Sequence, residues 1–338
     1  MSQKGLNEQT KISKRNAGFG MKWGTLITIA VLFVFFTFAN WSKDTNSSMF
    51  LTRSNLTTII RSISITAVIA IGLTFSLSIN GMDMSIGSVA NFSNAFIMTM
   101  MIWYQVNLGL SILLTIIACL AIGALTSFLI VKLKIPDMIA TLSVLYMIQG
   151  AALTYTHGSS VSERMPLPDG TPSAGLLPKS FRAIGIEPGL IIVMLAVVLL
   201  AFFFLNYTKH GRYMYAVGGN MEAARLSGIS VTKYRVLAYL LSAGLAGLGG
   251  ILLGARVGSS QVNAGAAYLM PAAAAAFIGF SIAGAGKANA LGTLAGAFLV
   301  GMLENGLVMM SVPYHSMDIV KGAVLALALA MTYSRKKA

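Results

Sequence analysis

Few side chains in this 338-residue sequence are of a type that does covalent chemistry, and their spacing limits what they can do. The stretch nearest to a phosphate-binding loop is Ser281-Ile282-Ala283-Gly284-Ala285-Gly286-Lys287-Ala288. Such a loop needs glycine at its first position and a hydroxyl at its last. Ser281 carries a side chain where the turn is tight, and Ala288 has no oxygen to offer magnesium. Any ATP-driven work therefore needs a second chain to hold the nucleotide. The glycine run from Gly244 through Gly250 to Gly254 looks at first like a dinucleotide fingerprint. No strand precedes it and it lies in an apolar stretch. It reads better as small residues every four positions, Ala246, Gly250 and Gly254, with Gly292 and Gly296 repeating the pattern. Such stripes let helix backbones approach closely in lipid. Cys119 is the single cysteine, and His157, His210 and His315 lie far apart, so no metal-ligand cluster is present. The histidines read as solvated loop residues.

A second group is polar rather than reactive. Ser78-Ile79-Asn80-Gly81-Met82-Asp83-Met84-Ser85-Ile86-Gly87-Ser88 joins two apolar runs. A carboxylate at membrane depth is costly unless paired or hydrated. Gly81 and Gly87 permit a break in a helix, and Ser85 or Ser88 can cap the next one. Two readings stay open: a discontinuous helix with Asn80, Asp83 and Ser85 on a solute path, or a cytoplasmic turn in which Asp83 caps a helix. Glu304 is another acid in an apolar stretch, followed by Asn305 and Gly306. Asn91 and Asn94 sit within a span, where they can bond a polar solute or a neighbouring helix.

The sharpest local signal is Tyr215-Ala216-Val217-Gly218-Gly219-Asn220-Met221-Glu222-Ala223-Ala224-Arg225-Leu226-Ser227-Gly228-Ile229. Asn220 is an N-cap, Glu222 puts acid near the positive end of a short helix, and Gly228 is a stop. A short amphipathic helix displaying Glu222 and Arg225 follows. Its length, caps and position fit a docking element better than a generic interfacial anchor.

The elements that must position these residues are set by composition. Hydrophobic residues make up 56% of the chain and charged residues 10%, against about 25% charged in an ordinary soluble domain. The expected fold is all-α, a polytopic transmembrane bundle. Spans of about 20 apolar residues fall near 23–41, 60–79, 86–103, 108–131, 138–156, 189–207, 236–254, 266–283, 289–310 and 317–334. The 48 uncharged residues between Asp83 and Lys132 hold two of them, with a turn at Tyr104–Asn107. The first span is long, has no small-residue cleavage site after it, and reads as a membrane helix rather than a removed signal.

Charge orients this bundle. The net charge of +14 comes from short basic patches between apolar runs, as membrane topology requires, and not from a nucleic-acid-binding face. With ten crossings and an inside N-terminus, 16 Lys and Arg lie inside and 8 outside, which accounts for all 24. Both termini are therefore expected in the cytoplasm. Residues 1–22 form a cytoplasmic segment, 23–334 the membrane domain and 335–338 a cytoplasmic tail. Within the domain, proline-rich 157–188 is an external irregular loop and basic 208–235 an internal one.

Four stretches, taken in order, resemble one family. They are Asn80–Ser88, Ile135–Leu142, Tyr215–Ile229 and Leu253–Gln261, and the likeness runs from about Ile59 to the C-terminus. The sequence is identified as a member of the ribose-type (monosaccharide) ABC importer permeases, within the branched-chain amino acid/ribose permease superfamily. The resemblance implies a pore of two permease copies, alike or different, in the bacterial cytoplasmic (inner) membrane and surrounded by lipid. It implies an ABC ATP-binding subunit that carries ATP and magnesium, none of which this chain binds, and an extracytoplasmic sugar-binding protein. It puts Glu222, Ala223, Ala224 and Gly228, with Asn220 and Arg225 beside them, in the element that couples to the ATPase. Asn80 replaces a usual glycine and Glu304 a usual asparagine, two departures expected to adjust solute preference, and the external loop is longer than usual. The rival readings are an ion-coupled secondary carrier using Asp83 and Glu304, a passive channel and a membrane enzyme. The last finds no support, since no nucleophile–base pair is visible.

Overall fold

The computed structural model describes residues 27–42, 46–167, 170–281, 287–313, 315–317, 319–320, 322–323 and 326. The helices in chain order are α1 Ile27–Ala39, α2 Arg53–Ser78, α3 Ile86–Ile102, α4 Leu108–Ser127, α5 Asp137–Tyr155, α6 Lys179–Ile184, α7 Gly189–Tyr207, α8 Lys209–Gly219, α9 Met221–Leu226, α10 Val231–Val257, α11 Leu269–Ser281 and α12 Ala290–Met309. α4 runs on through a π-helical turn at Phe128–Lys132. The chain is an all-α, polytopic membrane bundle.

Among the described residues, six helices are long and apolar enough to cross a bilayer: α2, α4 with its π turn, α5, α7, α10 and α12. Three apolar helices are shorter, Ile27–Ala39, Ile86–Ile102 and Ala266–Phe280. Nine of the ten expected spans thus coincide with an apolar helix, and six of those meet the spanning length. The tenth, 317–334, lies mostly outside the described residues, and 1–22, 282–286 and 335–338 lie wholly outside them. α2 begins seven residues before the expected 60, because Arg53 is exposed on its first turn and Arg61, two turns in, is paired with Glu187.

Caps mark the boundaries. Asn107 accepts from Leu110 N at 2.9 Å to start α4, Ser230 from Lys233 N at 3.4 Å to start α10, and Asn289 from Gly292 N at 2.6 Å to start α12. Gly258, at φ 72°, closes α10 in the left-handed conformation that glycine adopts freely.

The described chain divides into two compact units, Arg61–Ala273 and the segments on either side of it, Met1–Ile60 with Ala274–Ala338. In the larger unit α3 is the hub, packed on α4, α5 and α10. Fourteen of its 17 residues are buried. The outer helices α4 and α7 keep broad apolar faces exposed, with Leu113, Ile192, Leu200 and Phe203 all more than half accessible. A face of that kind is solvated by lipid.

Close packing of α3, α4 and α10 depends on the small-residue stripe. A Cβ on Gly250 would run into the Ala90 carbonyl and lie 2.8 Å from Ser93 Cβ. One on Gly247 would lie 2.5 Å from Cys119 Sγ, and Ser93 Oγ donates to the Gly247 carbonyl at 2.5 Å. In the smaller unit, Gly279, Gly292 and Gly296 bring α11 against α12 in the same way.

The segment 157–188 holds a short strand and the helix α6 between irregular stretches, and it is anchored to the bundle. Val161–Ser162 pairs antiparallel with Ser259–Ser260. Phe181 of α6 is fully buried among Ile97, Met101, Ile251 and Ala255, and Gly175 abuts the Ile102 backbone. The stretch 208–235, expected as an internal loop, is helical: it is α8, α9 and the first turn of α10. His210 is accordingly no solvated loop residue. It lies in α8, stacked on Phe204 and 3.2 Å from Tyr234 Oη.

Candidate functional site

Two linked groups of polar side chains gather at the end of the larger unit that carries α8 and α9. The first centres on the break between α2 and α3. The α2 helix ends at Ser78 and the chain turns through Asn80, whose φ of 58° is left-handed. Asparagine tolerates that region better than most residues. Glycine would adopt the same backbone without strain. Asp83 is 1% exposed and fully engaged. Its Oδ1 accepts from Ser85 N at 2.9 Å and Ser85 Oγ at 2.6 Å, and its Oδ2 from Ser242 Oγ of α10 at 2.7 Å. The carboxylate therefore fixes the turn that leads into α3 and ties it to α10.

The second group was not legible in the sequence. Asp137, first residue of α5, makes an ion pair with Arg235 and accepts from Tyr239 Oη at 2.7 Å. Gly81 sits over this pair: a Cβ there would lie 2.6 Å from Tyr239 Oη and 2.8 Å from Asp137 Oδ2. Thr141 Oγ1 also reaches the Met82 carbonyl at 3.3 Å. The α2–α3 break is thus held from α5 and α10 together. Asp137 and Arg235 are 98 positions apart, and no spacing rule connects them.

Around Asp137 and Arg235 opens a cavity of about 470 Å³, lined by Val131, Lys134, Pro136, Glu222, Arg225 and Thr232 among others. α9 forms one wall. Asn220 caps it, accepting from Ala223 N at 2.9 Å, and Gly228 at φ 78° ends it. Glu222 and Arg225 pair at 2.7 Å with both side chains 69% exposed, Leu226 is 85% exposed, and Ala224 packs inward. The helix is six residues long, so its caps and its inner contact, not its propensity, must hold it.

The remaining expected residues are spread. Asn91 Oδ1 accepts from Gly265 N at 3.2 Å. Asn94 is buried beside Gly254, and neither of its amide atoms has a hydrogen-bond partner. Glu304 is half-buried on α12, in the other unit. Charges sort by end within the larger unit. Lys134, Arg225 and Arg235 share the cavity, whereas Arg61 pairs with Glu187 and Arg182 with Glu163 at the opposite end. The Arg182 guanidinium holds the Glu163 carboxyl below the usual carboxylate range, and Arg61 does the same for Glu187.

Comparison with known proteins gives this geometry its context. The family described as branched-chain amino acid transport system / permease component matches residues 55–329. The chain belongs to this permease family. Among curated relatives, the ribose import permease protein RbsC of Escherichia coli K12 is 35% identical over 289 residues, covering 85% of this chain and 88% of that protein. RbsC of Bacillus subtilis 168 is 32% identical over 320 residues, 95% of this chain and 94% of that one. The xylose transport system permease protein XylH of Escherichia coli K12 is 27% identical over 364 residues, 92% of each. No solved structure matches the chain. The permease is therefore a multi-pass membrane transport protein, and the capped helix, the cavity and the Asp137–Arg235 pair lie together at one end of its larger unit.

Proposed function

We propose that this permease is the membrane-spanning subunit of an ABC importer and forms the path of a monosaccharide-like solute, ribose or a related sugar. In this reading it is no enzyme. A separate ABC subunit binds and hydrolyses ATP with magnesium, and docks on α9. The observation that carries the reading is α9 itself: a helix too short to persist alone, capped at both ends, presenting exposed Glu222, Arg225 and Leu226 beside an open cavity. Such an element transmits a push from a partner by rigid-body movement.

The finer arrangement follows from the same reading. Ten spans put both termini in the cytoplasm of a bacterial inner membrane. A second permease copy completes the pore, and an extracytoplasmic sugar-binding protein docks at the end bearing 157–188. Asn80, Asp83, Ser85, Asn91, Asn94 and Glu304 are assigned to the path, with Asp83 and Ser85 at its inner end. The ion-coupled rival needs a carboxylate free to take a cation, whereas three donors occupy Asp83.

The test is reconstitution of the permease with its ATPase in proteoliposomes, with sugar-loaded binding protein outside. ATP-dependent uptake of D-ribose is expected. A Glu222→Ala, Arg225→Ala pair should lower uptake about tenfold or more, with thermal stability of the permease unchanged, because the side chains are exposed. Uptake by the permease alone, driven by an ion gradient, overturns the proposal.

A further inference from the structure

The segment between α10 and α11 poses a problem that lipid cannot solve. After the Ser259–Ser260 strand it runs without α-helix as far as Leu269, with only a 3₁₀ turn at Ala266–Tyr268. It descends along α3. Gly265 meets the backbone of Asn91, and Ala266 and Leu269 meet Gly87. Asn91 is five residues inside α3, roughly 8 Å from its start at 1.5 Å per residue. The segment therefore lies at membrane depth. Irregular backbone there is tolerated only against protein or against water.

One side of it is covered by α3. Its other side is open: Gln261 and Ala267 are exposed, and Asn263, at φ 59°, is half-exposed. Facing it is Gln149 of α5, whose Nε2 donates to Asn263 Oδ1 at 3.3 Å. That is the one side-chain hydrogen bond either amide makes among the described residues. Each keeps further donors and acceptors available. Gln149 lies 12 residues into a 19-residue helix, about 18 Å along it, deep in the hydrocarbon. Tyr146, 72% exposed, shares its face one turn earlier, and a Cβ on Gly150 would meet nothing within 4 Å. Two amides with spare hydrogen-bonding capacity, an aromatic ring and open space are what a neutral polyhydroxylated solute requires: amides for hydroxyls, ring for the C–H face.

We propose that Gln149 and Asn263, flanked by Tyr146, form a solute-recognition subsite on the wall of the translocation path. The irregular segment Gln261–Tyr268 is then the water-facing lining at that depth. The inference rests on the permease reading and assigns it a sugar contact made by side chains outside the α2–α3 break. Asp83 and Ser85 are occupied with each other, whereas Gln149 and Asn263 are half-exposed.

Cysteine substitution tests it in the full importer. Cys119 is buried, so the unaltered chain supplies the background. Gln149→Cys and Asn263→Cys, reconstituted with the ATPase, are each treated with a charged, membrane-impermeant thiosulfonate, with and without D-ribose. Both are expected to react, and ribose to slow the reaction about fivefold. Gln149→Leu is expected to raise the KM for uptake five- to tenfold with kcat retained, about the worth of one or two hydrogen bonds. Asn263→Gln should restore more affinity than Asn263→Ala. The inference is overturned by silence towards the aqueous reagent in both the nucleotide-free and the vanadate-trapped transporter. It is overturned equally by ribose transport with unchanged KM in Gln149→Leu, or by a ready disulfide between two copies carrying Gln149→Cys, which would make this face a permease–permease contact. Failure of the unaltered importer to take up ribose with ATP refutes the proposed function instead. The labelling needs no transport and still reports whether water reaches α5.

Discussion

At the scale of single residues, the α2–α3 break shows how little freedom the local chemistry leaves. Asn80 pays a conformational cost that glycine would not, and Gly81 has no room for a side chain because Tyr239 and Asp137 lie over it. Asn80→Gly is expected to leave thermal stability of the detergent-solubilised permease within a degree or two. Asn80→Val should lower it, since a β-branched residue in the left-handed region costs on the order of 1–2 kcal/mol. Gly81→Ala should act differently: it pushes apart the Tyr239–Asp137 hydrogen bond and should reduce transport as well as stability. Equal stability of Gly81→Ala and the unaltered chain would show that the pair does not need this close approach.

At the scale of elements, α10 organises the larger unit. Its small residues seat α3 and α4, its Ser242 holds Asp83, and its Arg235 and Tyr239 hold α5 through Asp137. The Asp137–Arg235 pair is half-buried, and removing one partner leaves the other charge there without compensation. Asp137→Asn and Arg235→Gln should therefore each destabilise the permease clearly, and the double variant by less than the sum of the two, in a thermal-melt double-mutant cycle. Additive losses would mean that the two side chains do not act as a unit. Gly250→Leu should be more severe than either, because the collision is with the Ala90 backbone and cannot be relieved by a rotamer change.

At the scale of the whole molecule, the charged groups of the larger unit are segregated to opposite ends of its helices, with apolar faces between them. At the end bearing α6, Glu163 and Glu187 are held below their ordinary pKa by Arg182 and Arg61. A carboxylate whose folded-state pKa is depressed contributes stability in full above its unfolded value, near 4.3, and loses it as pH falls through the folded value. Melting temperature should thus fall between about pH 5 and pH 3, and the Glu163→Gln, Glu187→Gln double variant should show a flatter profile. An identical acid profile in both would exclude these pairs as the cause.

Several of these features were legible in the amino-acid order alone. Apolar runs located nine helices, because a helix in lipid must satisfy its own backbone and so announces itself by length and composition. The stripe Ala246, Gly250, Gly254 and the caps Asn220 and Gly228 were equally plain, since stripes and caps are local patterns with a fixed period. The anchoring of segment 157–188, the helix α8 and the packing of His210 were not. Nor was the joining of Asp137 to Arg235, of Asp83 to Ser242, or of Gln149 to Asn263. Each of those pairs links separate elements more than 90 positions apart. Only the packing of α3, α5 and α10 brings such partners together, because hydrogen-bond reach is a property of space and not of order along the chain.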